Sequence, residues 1–381
     1  MTFRQLFKLE SQRFFSNRAL LLTMFGGLIL YAFLYPRPYL KQIAREQPIA
    51  VINHDGSQLS RTFLRMVDAT PELKIKQQVN SITEAEQLLG QQLIGGFLVI
   101  PKNFYRDLMQ NRAPTLAYAG DASYFLVYST ILQGLSRTSG TLSAKIKVKN
   151  MLTKGVPLEG ASIKHTVVPL KTQAVFNTVE GYMDYVLPAV FVLILHQMMI
   201  ITIGLHSGPQ PDAKMSKVDL EAPLGFLLTI RFGLFLLLFT LLSCFYMGAV
   251  LAHYSIHQWG ERGDILALLL PFLIASAALG LSIAAFLPKR DYAMVIGLLS
   301  SLPIVLGSGF VWPVEMMPTT LNIVFDLLPA KPMVLGMLKL NQLGASFSQV
   351  SGIFMQLWIQ AVCYVCLAWF CWSVKRSRTN I

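Results

Sequence analysis

The sequence predicts an α-helical polytopic membrane protein with six transmembrane helices and an inserted extracytoplasmic α/β domain. Three observations predict it. Of the 381 residues, 54% are hydrophobic and only 14% charged, against about a quarter charged in soluble globular proteins. Six apolar runs approach the ~20 residues that a helix needs to cross the hydrocarbon core. The stretch between the first two runs, residues 37–180, is instead polar and alternates strand and helix signals. This composition excludes a purely soluble enzyme and a disordered chain.

Residues 1–18 read as an interfacial amphipathic helix on the cytoplasmic leaflet. Phe3, Leu6, Phe7 and Phe14 cluster on one helical face, and Arg4, Lys8 and Gln12 repeat at spacing four on another. Glu10 is a blemish on the apolar side. Residues 19–36 form the first span, free of charge between Arg18 and Arg37. It exceeds a signal-peptide core and no small-x-small cleavage site follows, so it reads as an uncleaved anchor. The remaining spans cover about 185–205, 222–250 (with Arg231 near its start), 265–287, 292–312 and 354–374.

Orientation follows from Lys and Arg at the flanks. With the N-terminus inside, the cytoplasmic pieces carry Arg4, Lys8, Arg13, Arg18, Lys214, Lys217, Lys289, Arg290, Lys375, Arg376 and Arg378. The short outer loops carry only Arg262, Lys331 and Lys339. Eleven against three places both termini in the cytoplasm. The same asymmetry accounts for much of the net charge of +12 without nucleic acid. Cys244, Cys363, Cys366 and Cys371 all lie within apolar runs. The polar domain therefore has no disulfide framework, and Cys363-x-x-Cys366 reads as an ordinary membrane-embedded pair.

Within the domain 37–180, Ile49–Ile52 is a short strand ended by the turn Asn53–Gly56, and Ser57 caps a helix through Val67. Leu73–Val79 alternates like a half-buried strand. Ser81 and Glu84 form a capping box that opens a helix to Leu93. Gly95–Ile100 is a buried strand stopped by Pro101, followed by a helix over 103–111, a strand at 115–118 and one long helix over 123–154. A returning strand is expected at 163–170. This is a compact α/β domain. His54, Asp55, Ser57 and Asp121 fall near its turns, but no G-x-S-x-G, H-E-x-x-H or paired-cysteine set accompanies them. They read as turn and cap residues. Lys145, Lys147, Lys149 and Lys154 leave two readings open: a solvated face, or a site for an acidic lipid or partner.

The order of parts resembles the permease subunits of ABC exporters of the type-2 class, in the subgroup with a large extracytoplasmic domain between the first and second transmembrane helices. PIAVINHDGSQLSRTFL (48–64) resembles the family's first strand, acidic turn and helix. SITEAEQLLGQQLIGGFLVIPKNFYRDL (81–108) resembles its helix, glycine-started strand, Ile-Pro and Phe-containing helix. FNTVEGYMDYVLPAVFVLIL (176–195) is similar to its approach to the second span, with Pro188 where the family places a proline. SGFVWPVEMMPTTLNIVFDLLPAKPMVLGM (308–337) looks like its outer re-entrant motif, and is the most specific part of a likeness covering nearly the whole chain.

The resemblance implies a transmembrane permease worked by separate cytoplasmic ABC ATPase subunits and paired with a second permease chain, a homo- or heterodimer. It also implies an outer gate in the re-entrant segment 313–345, carried by Gly309, Phe310, Pro313, Glu315, Pro318 and Pro329. The segment 206–221 stands where the family has a cytoplasmic coupling helix, which assigns coupling to Asp212, Lys214, Lys217, Asp219 and Glu221. The segment departs from the family's pattern: Pro209 and Pro211 replace an acidic-basic start, and no Glu-x-Gly-Thr is present. Asp212 can cap a helix to Glu221. This divergence suits one half of a heterodimer.

No G-x-x-x-x-G-K-[ST] occurs, so the chain is expected to be no enzyme, to hold no cofactor and to leave ATP to the partner subunit. His196, mid-span, is a candidate for the translocation path or a structural hydrogen bond. Arg231 can snorkel to the inner surface or serve the path. Ser276, Gly280 and Ala284 recur at spacing four, as helix packing in membranes favours. Met198, Met199, Met316 and Met317 could line an adaptable apolar site, with core packing the commoner reading of methionines in spans. The function read from all this is export of an amphipathic, drug-like or lipidic substrate across the bacterial inner membrane by alternating access. A periplasmic adaptor and membrane lipids are further partners, and nucleic acid is not. The alternative is a non-transporting membrane-anchored receptor or scaffold whose outer domain binds a partner or ligand.

Overall fold

A computed structural model of the chain describes residues 2–40, 45–110, 112–123, 125–153, 182–209 and 217–379. The chain divides into two compact units, one of Met1–Gln42 with Ala174–Ile381 and one of Ile43–Gln173.

The first unit begins with helix α1 (Phe3–Ser16), whose N-cap Thr2 accepts from the Gln5 amide while the Gln5 side chain accepts from the Thr2 amide. Asn17 stops α1 and caps α2 (Arg18–Tyr39), its side chain accepting from the Leu20 amide at 3.2 Å. A π-helical stretch, Leu22–Gly27, lies inside α2. Widening the turn frees backbone groups, and just beyond it the Leu28 carbonyl accepts from the buried Tyr246 hydroxyl at 2.6 Å.

The second unit is built on a sheet of order β2-β1-β3-β4. Strand β1 (Gln47–Asn53) leads to α3 (Gln58–Asp68), β2 (Leu73–Gln78), α4 (Ile82–Gly90), β3 (Gly96–Ile100), α5 (Phe104–Met109), β4 (Ala117–Gly120) and the long α6 (Phe125–Thr153). β1 pairs in parallel with β2 and β3, and β3 pairs antiparallel with β4. The middle of central β1, Ile49–Ile52, is apolar and buried because both its faces are covered. Ile49 and Val51 pack with Phe63, Val67 and Ile131, while Ala50 and Ile52 pack with Val79, Ala85 and Phe97. Asn53 closes the turn by accepting from the Asp55 and Gly56 amides, and Gly56 has φ +63°. Ser57 caps α3 and Ser81 caps α4. The Glu84 carboxylate reaches back one residue further than a capping box requires, to the Asn80 amide. The sequence-predicted strand at 115–118 begins two residues later in the fold, and the helix predicted to Leu93 ends at Gly90. The strand expected at 163–170 lies outside the described residues.

The first unit resumes with α7 (Tyr182–Ser207), then α8 (Lys217–Glu221), α9 (Leu224–His253), α10 (Arg262–Phe286), α11 (Tyr292–Gly307), α12 (Thr319–Asp326), α13 (Ala330–Asn341) and α14 (Phe347–Thr379). Helices α2, α7, α9, α10 and α14 are long and apolar enough to cross a membrane. Helix α7 is the central one: 89% of its most apolar window is buried, against 22% for α14. The small-residue row of α10 makes this packing close, since a Cβ on Gly280 would sit 3.3 Å from Ile203 Cδ1 on α7. On another side of α10, Trp372 of α14 donates its indole N–H to the Leu281 carbonyl at 3.0 Å.

Two of the expected spans change. The run 292–312 is helical only to Gly307, a 16-residue element of about 24 Å, because Gly309 turns the chain with φ +89°. The last helix starts at Phe347, seven residues before the predicted 354. Between them, α12 and α13 meet at 90°, a broken span or a re-entrant loop by geometry.

Candidate functional site

Five elements of the first unit converge on one buried group of charges. On α1 the covered stripe is Leu6, Glu10 and Phe14, at spacing four. Phe3 and Phe7, predicted on the same face, are about half exposed. Glu10 is therefore a member of the packed face, not a blemish, and is 1% exposed. A carboxylate is kept charged in such a place only by cations and donors around it.

Apart from Arg13 on α1 itself, those partners come from far along the chain. Arg231 on α9, 1% exposed, donates from Nε to Glu10 Oε2 at 2.8 Å and from Nη2 to Glu10 Oε1 at 2.9 Å. Its Nη2 also donates to Asp219 Oδ1 on α8. His206, at the end of α7, places Nε2 2.8 Å from Glu10 Oε2. Arg13 Nη1 approaches Glu10 and Asp219 at 3.9 and 3.7 Å. The indole of Trp372 on α14 lies beneath the Arg231 guanidinium at 5.2 Å and beneath Lys375 Nζ at 4.7 Å. Arg231 does not snorkel; it is enclosed by carboxylates on one side and an aromatic ring on the other.

Burial would raise the Glu10 carboxyl, but the Arg231 charge and the hydrogen bonds from His206 and Arg231 outweigh it. Glu10 is held well below the usual carboxylate range. For Arg13, burial and the neighbouring Arg231 lower the guanidinium, against the pull of Asp219 and Glu10. Two carboxylates thus face two guanidiniums, with the Lys375 ammonium over the same indole as Arg231. The fork-on-carboxylate contact gives direction as well as energy, so α1, α8 and α9 are tied as a unit.

The structure brings together Asp219 and Arg231, predicted for different roles. Glu221 of the same short helix is exposed, Lys217 opens that helix, and Asp212 and Lys214 lie outside the described residues. His196 sits apart on α7, with Nδ1 2.9 Å from Ser276 Oγ on α10 and Phe272 beside its ring. That bond joins α7 to α10. Glu10 and His206 were missed as site residues. The available signal was a carboxylate on an otherwise apolar helical stripe, which is affordable only with a partner.

The residues of the 308–337 motif form a second constellation. Gly309 has no alternative: its φ is left-handed and a Cβ would sit 2.7 Å from Val314 Cγ2. Phe310 is buried, and its carbonyl accepts from the Tyr185 hydroxyl on α7. Pro313 precedes a short 3₁₀ turn containing exposed Glu315, while Pro318 and Pro329 stand at the N-caps of α12 and α13. At the 90° corner Lys331, 2% exposed, pairs with Asp326 Oδ1 at 2.8 Å and donates to the Asn322 carbonyl at 3.2 Å. Gln356 and Gln360 of α14 donate to the Asp326 carbonyl at 3.2 and 2.6 Å, satisfying the end of α12. In the second unit, Ser57 and Asp121 serve as cap and turn acceptor, and Asp55 Oδ1 accepts from the Tyr105 amide. Among the described residues no group of three or more His, Cys, Asp or Glu could hold a metal ion.

The sequence model of the family described as "ABC-2 family transporter protein" matches residues 18–370. The chain belongs to the ABC-2 transporter family. A similar curated protein is the linearmycin resistance permease protein LnrN of Bacillus subtilis (strain 168), 23% identical over 332 residues, which cover 80% of this chain and 82% of that protein. This ABC-2 chain is thus a multi-pass membrane protein and an ABC transporter permease subunit, of a kind that associates with ABC ATPase subunits. Glu10 precedes the matched stretch and Trp372 follows it, so the charge cluster joins both ends of the chain to the family's common body.

Proposed function

We propose that this permease exports an amphipathic drug-like or lipidic molecule across the bacterial inner membrane by alternating access. Its termini lie in the cytoplasm, the second unit faces the periplasm, and a second permease chain completes the path. ATP is bound and hydrolysed on separate cytoplasmic subunits, and no cofactor is needed on this chain. The resistance permease of Bacillus subtilis supports outward transport of a toxic compound. A periplasmic adaptor is a further partner of the outward-facing unit.

The contact that carries the reading is Asp219 to Arg231. The short helix Lys217–Glu221 lies in the stretch where the type-2 class has its coupling helix. Through Arg231 it is bonded to a helix long enough to span the bilayer and, beyond that, to α1. Movement imposed on that segment by closing ATPases would pass to α9 through a charged bond too costly to break. The corner between α12 and α13, with Gly309 and Phe310 before it, would act as the outer gate, since irregular backbone at membrane depth is tolerated where it lines a protein cavity.

The test is co-reconstitution of the permease and its ATPase in proteoliposomes, comparing the native chain with Asp219→Asn. Export should fall at least about tenfold while basal ATP hydrolysis persists, a separation of the two activities worth ~1.4 kcal/mol or more of coupling. Equal loss of both, or of neither, would remove Asp219 from the coupling path.

A further inference from the structure

The second unit contains a cavity of about 410 Å³ between α5, the stretch leading into β4, and α6. Its size falls in the range of about 300–1,000 Å³ that small-molecule sites occupy. Phe104, Leu108, Leu116, Leu142 and Ile146 make the floor, and Arg112 and Lys147 stand exposed at the mouth. Among the described residues no carboxylate lines it. Neither cation belongs to an ion pair among the described residues. Of the basic run, Lys147 lines the cavity and Lys145 and Lys149 do not, while Lys154 lies outside the described residues.

We infer that this cavity is a binding site for a single-tailed amphipathic anion, an apolar chain with a carboxylate or sulfate head. A small inorganic anion would leave the apolar floor unused, and a neutral apolar molecule would gain nothing from two cations that no described carboxylate pairs. An amphipathic anion uses both: its tail is removed from water at the floor, and its head meets Arg112 and Lys147 in charge-assisted hydrogen bonds. Ser143, exposed on α6 and also lining the cavity, supplies a hydroxyl donor to the same head. The site does not depend on the transport reading, because every residue in it belongs to one compact unit.

The full chain in nanodiscs of neutral phosphatidylcholine, without ATPase, is irradiated with a diazirine-bearing decanoate, and the adducts are mapped by peptide mass spectrometry. Adducts should fall within 104–116 and 139–150, and be displaced by decanoate but not by acetate or decanol. Arg112→Gln with Lys147→Gln should lower that labelling about tenfold or more, leaving adducts in the membrane helices unchanged. Ser143→Trp, which plugs the mouth from an exposed helical position, should abolish it without shifting the unfolding midpoint. Adducts confined to the membrane helices would overturn the site. Displacement by decanol as strong as by decanoate, or indifference to the charge substitutions, would overturn the assignment of an anion.

Discussion

Arg231 and Glu10, 221 positions apart in the chain, meet in a two-point fork at 2.8 and 2.9 Å with both residues 1% exposed. Removing either charge strands the other in a buried place, so the contact dominates the local energetics even though the intact pair offsets its own desolvation only partly.

Glu10→Gln should lower stability by about 3–5 kcal/mol, the usual cost of orphaning one partner of a buried pair. Arg231→Lys keeps the charge but loses the planar fork and should fall between Glu10→Gln and the native chain. Thermal unfolding in mild detergent measures both. An unchanged midpoint for Glu10→Gln would mean that the fork does not hold α1 in place.

The pH dependence has a definite sign. The Glu10 carboxyl is lowered in the fold from its ordinary value of 4.5, because Arg231 and His206 overcome the effect of burial. Its contribution is therefore fully present above about pH 4.5 and is lost as the pH falls through the lower, folded-state value. The midpoint difference between the native chain and Glu10→Gln should stay constant from pH 8 to about 5 and shrink in more acidic buffer. A difference that grows on acidification would contradict this electrostatic account.

Lys331 ties the corner between α12 and α13 through Asp326 and Asn322. Lys331→Met removes the cation and leaves its acceptors facing an apolar chain, with an expected loss of about 1–3 kcal/mol. Spin labels on α12 and α13 should report a broadened angle about the native 90°. An unbroadened distance distribution would show that the prolines alone set the corner.

Gly309→Ala places a methyl against Val314 and Leu335 at a residue whose φ is +89°. It should cost more than about 1 kcal/mol. Gly352→Ala, where a Cβ meets nothing within 4 Å on a helix, should be neutral or slightly stabilising. Comparing the two midpoints separates backbone strain from the general effect of replacing glycine.

Much of the fold is local and was legible for that reason. Apolar runs identify membrane-length helices without reference to partners, because the hydrocarbon core requires about 20 residues of internally bonded helix. Caps at Ser57 and Ser81 and the β-runs around Ile49 and Phe97 likewise depend on residues a few positions apart. The prolines of the 313–345 segment announced a break, although the 90° turn and its lysine tie did not follow from them.

The sequence by itself determined the membrane character, the helix-rich first unit and the α/β order of the inserted one, since hydropathy and capping act over a few turns. Tertiary structure alone decided that Glu10, His206, Asp219 and Arg231 meet in one charged network, and that His196 meets Ser276. Buried charges are stable only beside their counter-charges, and which counter-charge arrives is settled by how distant helices pack.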